Sequence, residues 1–132
     1  IAEARVDKKV ERQRAAEFYF KSLADIESVE LPICHGSLND HAWHLFPIIL
    51  KADAKLTRNE FIDQLSELGI GTSVHYKPIH QLTYYKERYS LRASDYPISE
   101  LTWQGTVSLP LYPYMDESDM EYVSEMIRGL LN

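Results

Sequence analysis

Gly69-Ile70-Gly71-Thr72-Ser73-Val74-His75-Tyr76-Lys77-Pro78-Ile79-His80 is where the chain changes character: a glycine stop runs into an extended segment ending in histidine, tyrosine and proline. Just upstream, Thr57-Arg58-Asn59-Glu60 has capping-box spacing, and Phe61, Leu65 and Leu68 follow at helical intervals. That pattern predicts a helix closed by a left-handed Gly69. Thr72 to Ile79 then reads as a strand, with His75 and Lys77 on one face, Val74 and Tyr76 on the other, and Pro78 ending it. Strand ends are where α/β proteins place ligand-facing residues, so the segment is also the first candidate for function.

Toward the N-terminus, His44, Phe46, Ile48 and Leu50 alternate with Leu45, Pro47 and Ile49, a pattern read as a strand buried on both faces. Pro47 lacks a ladder donor, which places it near an edge or a bulge. Pro32, Gly36 and Asn39 punctuate a loop before it. From Arg5 to Ile26 there is no Gly or Pro, and Ala16, Tyr19, Phe20 and Leu23 share one face, which predicts a long helix. Its first half (Asp7, Lys8, Lys9, Glu11, Arg12, Arg14) reads as a solvated face.

Toward the C-terminus, His80 to Tyr89 predicts a short helix with Leu82, Tyr85 and Tyr89 inward. Ser94-Asp95 is placed to cap another helix, with Pro97 in its first turn and Gly105 at its close. Thr106 to Tyr112 reads as a third strand. Asp116 is placed to cap a final helix whose buried stripe is Met120, Val123, Ile127 and Leu130. The order predicts a single α/β (α+β) domain: a small, mostly antiparallel sheet with helices packed on one face.

A length of 132 residues with 45% hydrophobic content suits one domain. Twenty acidic against 14 basic residues give a net charge of -6, which argues against binding to nucleic-acid phosphates. Cys34 is the only cysteine, so no intramolecular disulfide forms; a cytoplasmic protein with a small, partly buried thiol is expected. The longest apolar run, Leu45 to Leu50, is too short to span a bilayer. Helical sequence is already under way at Ile1 to Ala4, without an initiating methionine or cap, so the chain reads as a fragment of a longer protein.

No self-sufficient active site is legible. His41 and His44 beside Asp40 are a near-pair for a metal, but they fall at a strand start and lack two further convergent ligands. No nucleophile elbow or phosphate loop occurs, and the paired carboxylates lie in helix caps or on solvated faces. What remains is His75, Tyr76 and His80, with Lys77 beside them and Trp43 and His44 on a neighbouring strand. That group offers hydrogen bonds to an anionic or hydroxyl-rich ligand and an aromatic wall to a sugar or base. The competing reading makes Tyr76 and Trp43 core residues, the histidines partners of backbone groups and Lys77 a solvated charge.

Three blocks occur in order: His75-Tyr76-x-Pro78-x-His80 followed by Tyr85, then Tyr96-Pro97 with Leu101, then Ser108-Leu109-Pro110-Leu111-Tyr112-Pro113. With them the whole chain resembles the C-terminal domain of the DegT/DnrJ/EryC1/StrS family of pyridoxal-phosphate-dependent sugar aminotransferases. The resemblance implies a fold like the small domain of fold-type I aminotransferases, following an N-terminal cofactor domain absent from this chain. It implies a homodimeric parent that moves an amino group, usually from glutamate, to a keto sugar nucleotide in polysaccharide or deoxysugar biosynthesis. His75, Tyr76 and His80 match the family segment that lines the sugar-nucleotide side of the cleft. Family members often carry tyrosine where this chain has Trp43, so that residue is not carried over. The cofactor lysine and the phosphate cup belong to the missing domain, which leaves no catalytic, cofactor or metal residue here and an inert fragment. A dehydratase-like relative would differ at that lysine. The other class considered is a free-standing α/β ligand-binding or regulatory module, which would have a capped, polar first helix. Val6 and Val10 at i, i+4 favour the small-domain reading, as a stripe for the missing domain to cover.

Overall fold

A computed structural model describes residues 2–132, with side chains from Lys8 onward. The first helix, α1 (Ala2–Ser22), follows from a stretch without Gly or Pro, and it stops four residues before Ile26. Leu23 and Ile26 are nonetheless buried in the turns that follow. Ala15, Ala16 and Tyr19 are fully buried, the small alanines letting the helix approach the sheet closely. Its charged half is not simply solvated. Arg12 Nε donates to Ala42 O (3.0 Å), Gln13 Nε2 to Asn39 O (2.6 Å) and Arg14 Nη2 to Met115 O (2.6 Å), so this half anchors two loops. Val6 lies outside the described side chains, while Val10 is exposed.

The sheet is three-stranded and antiparallel, in the order β1 (Val29–Glu30), β2 (Phe46–Leu50), β3 (Thr106–Leu109). β1 has no counterpart in the sequence reading, because a two-residue strand is defined only by pairing with Ile49 and Leu50. β2 is buried on one face rather than both: Phe46, Ile48 and Leu50 point inward, while Pro47 and Ile49 stay half-exposed. Pro47 sits on the central strand, not at an edge. Its partner Ser108 directs both its N–H and its C=O to Ser73 on the opposite side, so Pro47 and Ser108 form a non-hydrogen-bonded pair. The donor that Pro47 lacks would point past the end of β1, and no ladder bond is lost.

The expected strand over Thr72–Ile79 contracts to one bridge, Ser73 opposite Ser108, and the expected alternation of faces beyond it is not realised. β3 likewise ends at Leu109 rather than Tyr112. Between them lie α2 (Arg58–Glu67), α3 (Thr83–Tyr89) and α4 (Pro97–Gly105). α2 has its full capping box: Thr57 N donates to Glu60 Oε2 (2.8 Å), Glu60 N donates to Thr57 Oγ1 (3.4 Å), and Gly69 stops the helix at φ +77°. In α3 the expected inward face is turned out, with Leu82 at its N-cap, Tyr85 and Tyr89 all exposed. α4 begins with Pro97 as expected, but the residue before it is Tyr96; Ser94 and Asp95 belong to a separate 3-10 turn and provide no cap.

The last helix, α5 (Glu117–Leu131), follows Asp116, whose side chain makes no capping bond. Met120, Val123, Ile127 and Leu131 are its buried stripe, with Leu130 only partly covered. α1, α2 and α5 close one core over the inner face of the sheet, joined to it by ring contacts such as Tyr19 to Phe46 at 5.2 Å. Each large side chain buried there contributes about 1.5–3 kcal/mol relative to exposure. Helices on one face of a small antiparallel sheet are the predicted fold.

Candidate functional site

The loop between Ser73 and α3 leaves the sheet after a single bridge, so side chains must hold the rest of it. His75 is fixed at its Nδ1, 3.0 Å from Ser108 Oγ and 3.4 Å from Ser73 Oγ. The ring is half-buried, and its Nε2 has no hydrogen-bond partner among the described residues. Tyr76 stands edge-on to it at 4.8 Å and is 76% exposed, which overturns the reading of Tyr76 as core. Across from them, α4 presents Ser99, Thr102 and Trp103, and the two sides enclose a cavity of about 230 Å³. With Thr106 also on the lining, three Ser/Thr residues, an imidazole and two aromatic rings suit a polar, ring-bearing ligand.

His80 is placed differently. It is 5% exposed, its Nε2 lies 2.9 Å from Glu100 Oε2, and its ring stacks on Tyr96 at 4.9 Å with the planes 13° apart. It does not line the cavity of His75 and Tyr76. Gln81 Nε2 donates to both Glu100 oxygens (2.7 and 2.6 Å), and Gln104 Nε2 donates to Oε1 (3.2 Å). The hydrogen bond from His80, then that from Gln81, holds the Glu100 carboxyl below the ordinary glutamate value of 4.5, against a smaller opposing effect of desolvation. Lys77 is exposed, as a solvated charge.

Trp43 and His44 do not join this group. Trp43 is 2% exposed, packs against Phe20 and Phe46, and donates from Nε1 to Leu38 O (3.0 Å). Its backbone is held at φ +44°, unusual for so bulky a residue, by that packing and by its N–H donating to His41 Nδ1 (2.9 Å). Trp43 is a core residue, and His44 is exposed. Among the described residues no three His, Cys, Asp or Glu side chains converge as a metal site, and Cys34 is a half-buried free thiol.

The sequence reading did not single out Ser99, Glu100, Thr102, Trp103 or Gln104. Their signal was a helix with two polar stripes, Ser99 with Thr102 at i, i+3 and Glu100 with Gln104 at i, i+4. A second, open cavity of about 590 Å³ lies beyond Trp103, between α4 and the start of α2. Lys51, Arg58 and Glu100 are on its walls, with the Arg58 guanidinium 4.9 Å above the Trp103 ring. Among the described residues no helix is long and apolar enough to cross a membrane.

Known proteins share this fold and sequence. The spore coat polysaccharide biosynthesis protein SpsC of Bacillus subtilis (strain 168) is 35% identical over 129 residues, which cover 95% of this chain and 32% of SpsC. The crystal structure of a DegT DnrJ EryC1 StrS aminotransferase from Brucella abortus superposes with a TM-score of 0.77 at 31% identity, covering 96% of this chain and 32% of that one. S. venezuelae DesV, in complex with a ketimine intermediate, gives a TM-score of 0.75 at 26% identity over 92% of this chain and 31% of its own. The chain thus spans about a third of the length of the relatives it matches. A match to the DegT/DnrJ/EryC1/StrS aminotransferase family runs over residues 4–128, and the chain belongs to that family.

Proposed function

We propose that the chain is the C-terminal small domain of a pyridoxal-phosphate-dependent aminotransferase that passes an amino group, from glutamate, to a keto sugar nucleotide for polysaccharide or deoxysugar synthesis. The observation that carries this reading is the cavity between the loop and α4. There His75 has Nδ1 engaged and Nε2 free, Tyr76 offers an open ring, and Ser99 and Thr102 supply hydroxyls. His75 would bond a sugar hydroxyl or phosphate oxygen, and Tyr76 would cover a sugar or base face. The role of SpsC in spore coat polysaccharide biosynthesis supports the choice of pathway class.

When bound, pyridoxal phosphate supplies the electron sink for amino transfer, and it needs a lysine amine and a carboxylate facing its ring nitrogen. This chain's residues do not fit that need. Lys77 and Lys51 are exposed, and Glu100, across the larger cavity from Lys51, is occupied by His80, Gln81 and Gln104. We therefore assign the cofactor to an N-terminal domain of a longer, homodimeric, cytoplasmic parent, and expect no turnover from these 132 residues alone. That domain would cover exposed apolar side chains such as Tyr76, Ile79, Ile98 and Leu101, together with Val10 on α1.

The test is steady-state kinetics of the full-length protein with sugar nucleotide. His75→Ala should raise KM for sugar nucleotide by about tenfold and leave cofactor retention unchanged. Unchanged kinetic constants in that variant would refute the site.

A further inference from the structure

We propose that Glu100 is a positioning residue of this site. Its carboxylate gathers His80, Gln81 and Gln104 and holds the loop from His75 to Leu82 on α4, so that His75 and Tyr76 face Ser99 and Thr102. His80 accordingly acts through Glu100 and not on substrate. The inference rests on the functional reading above only for the identity of the ligand.

After Ser73 the loop has no further backbone pairing with the sheet among the described residues. Its own bonds, Gln81 N to Pro78 O (2.9 Å) and Leu82 N to Ile79 O (3.1 Å), are local, and Lys86 N to Leu82 O (2.9 Å) leads only into α3. Side chains therefore fix it at two points. One is His75 against Ser108 on β3, and the other is the pair His80 and Gln81 against Glu100 on α4. Between those points Tyr76 and Ile79 are exposed, with Tyr76 resting edge-on against His75.

Three donor nitrogens converge on Glu100: Gln104 Nε2 on Oε1, His80 Nε2 on Oε2, and Gln81 Nε2 shared between the two oxygens. Although Glu100 lies on the wall of the larger cavity, both of its oxygens are engaged by these side chains. His80 is similarly committed, with one nitrogen on Glu100 and one ring face on Tyr96. Because Ser99 and Thr102 share the helix with Glu100 and Gln104, one latch sets both walls of the smaller cavity. Charge-assisted bonds to a partly covered carboxylate are strong enough for that purpose.

The experiment uses the full-length protein and reads hydrogen exchange together with kinetics. In Glu100→Ala, exchange should accelerate within residues 75–82 and stay unchanged in β2, β3 and α5. KM for sugar nucleotide should rise by about tenfold with kcat within about threefold, and Glu100→Gln, which keeps the shape and an acceptor, should recover most of the loss. The double variant His80→Ala with Glu100→Ala should be no worse than the worse single one, since the two act as a unit. Wild-type exchange in 75–82, or multiplying effects of the two substitutions, would overturn the latch. If His75→Ala leaves KM unchanged, the substrate reading fails instead, and the exchange result alone then upholds or overturns the latch.

Discussion

Two glycines in helices should respond to alanine with opposite signs. At Gly105, the last residue of α4, an added Cβ would collide with the Leu50 carbonyl oxygen and lie 2.9 Å from Ile49 Cγ2. The main obstacle is the backbone of the central strand, which cannot swing aside as a side chain would. Overpacking of this kind costs about 1–3 kcal/mol, and a rigid obstacle places the cost near the top of that range. Alanine's better helix propensity returns at most about 1 kcal/mol, leaving Gly105→Ala destabilised by about 2 kcal/mol. Gly129, in α5, has nothing within 4 Å of a built Cβ and is exposed. There the same substitution should stabilise by about 0.5–1 kcal/mol, by reducing the freedom of the unfolded chain. Urea unfolding followed by circular dichroism measures both, and the variants should differ by about 3 kcal/mol with unchanged m-values. A neutral Gly105→Ala, or shifts of the same sign, would refute the close approach of α4's end to β2.

Three further outcomes are expected. Trp43→Ala should cost about 3–5 kcal/mol in the same unfolding assay, as for other buried tryptophans; a loss under 1 kcal/mol would return Trp43 to the candidate ligand wall. Burial, and then the charges of Tyr112 and Asp119, push the Tyr19 hydroxyl well above its ordinary 10.0. A raised folded value means that its stability contribution is complete below pH 10 and is lost as pH rises toward the folded value, so Tyr19→Phe should flatten the alkaline fall in unfolding free energy; an unchanged slope would count against it. Hydrogen bonds from Arg128, Thr57 and His80 hold Asp25, Glu60 and Glu100 below ordinary values of 3.8, 4.5 and 4.5. Their contribution is therefore present above about pH 4.5 and lost as pH falls through the folded values, and Glu60→Gln should shallow the acid limb measured by circular dichroism.

Much of this protein was legible in its sequence where the signal is local. The Thr57–Glu60 capping box and Gly69 bracket α2 because caps and left-handed glycines act within a few residues. The periodicity of α1 and α5 named most of their buried stripes, and the motif at His75 and Tyr76 marked one wall of the candidate cavity. Spacing tells which residues share a face but not which way a short helix turns, and so Leu82, Tyr85 and Tyr89 were placed inward when they face out.

Only the tertiary structure decided what depends on partners distant in the chain. β1 exists because Val29 and Glu30 meet Leu50 and Ile49, and the segment after Ser73 is a loop because only Ser73 finds a ladder partner. Pro47 is tolerated on the central strand because β1 has ended where its missing donor would point. Gly105 is required by a carbonyl more than fifty residues away, not by a left-handed turn. Glu100, ordinary in sequence, becomes the meeting point of two loop side chains and one from its own helix. Local propensity is a property of each residue and its near neighbours, whereas strand pairing, close approach and convergent hydrogen bonds arise only when distant segments are brought together.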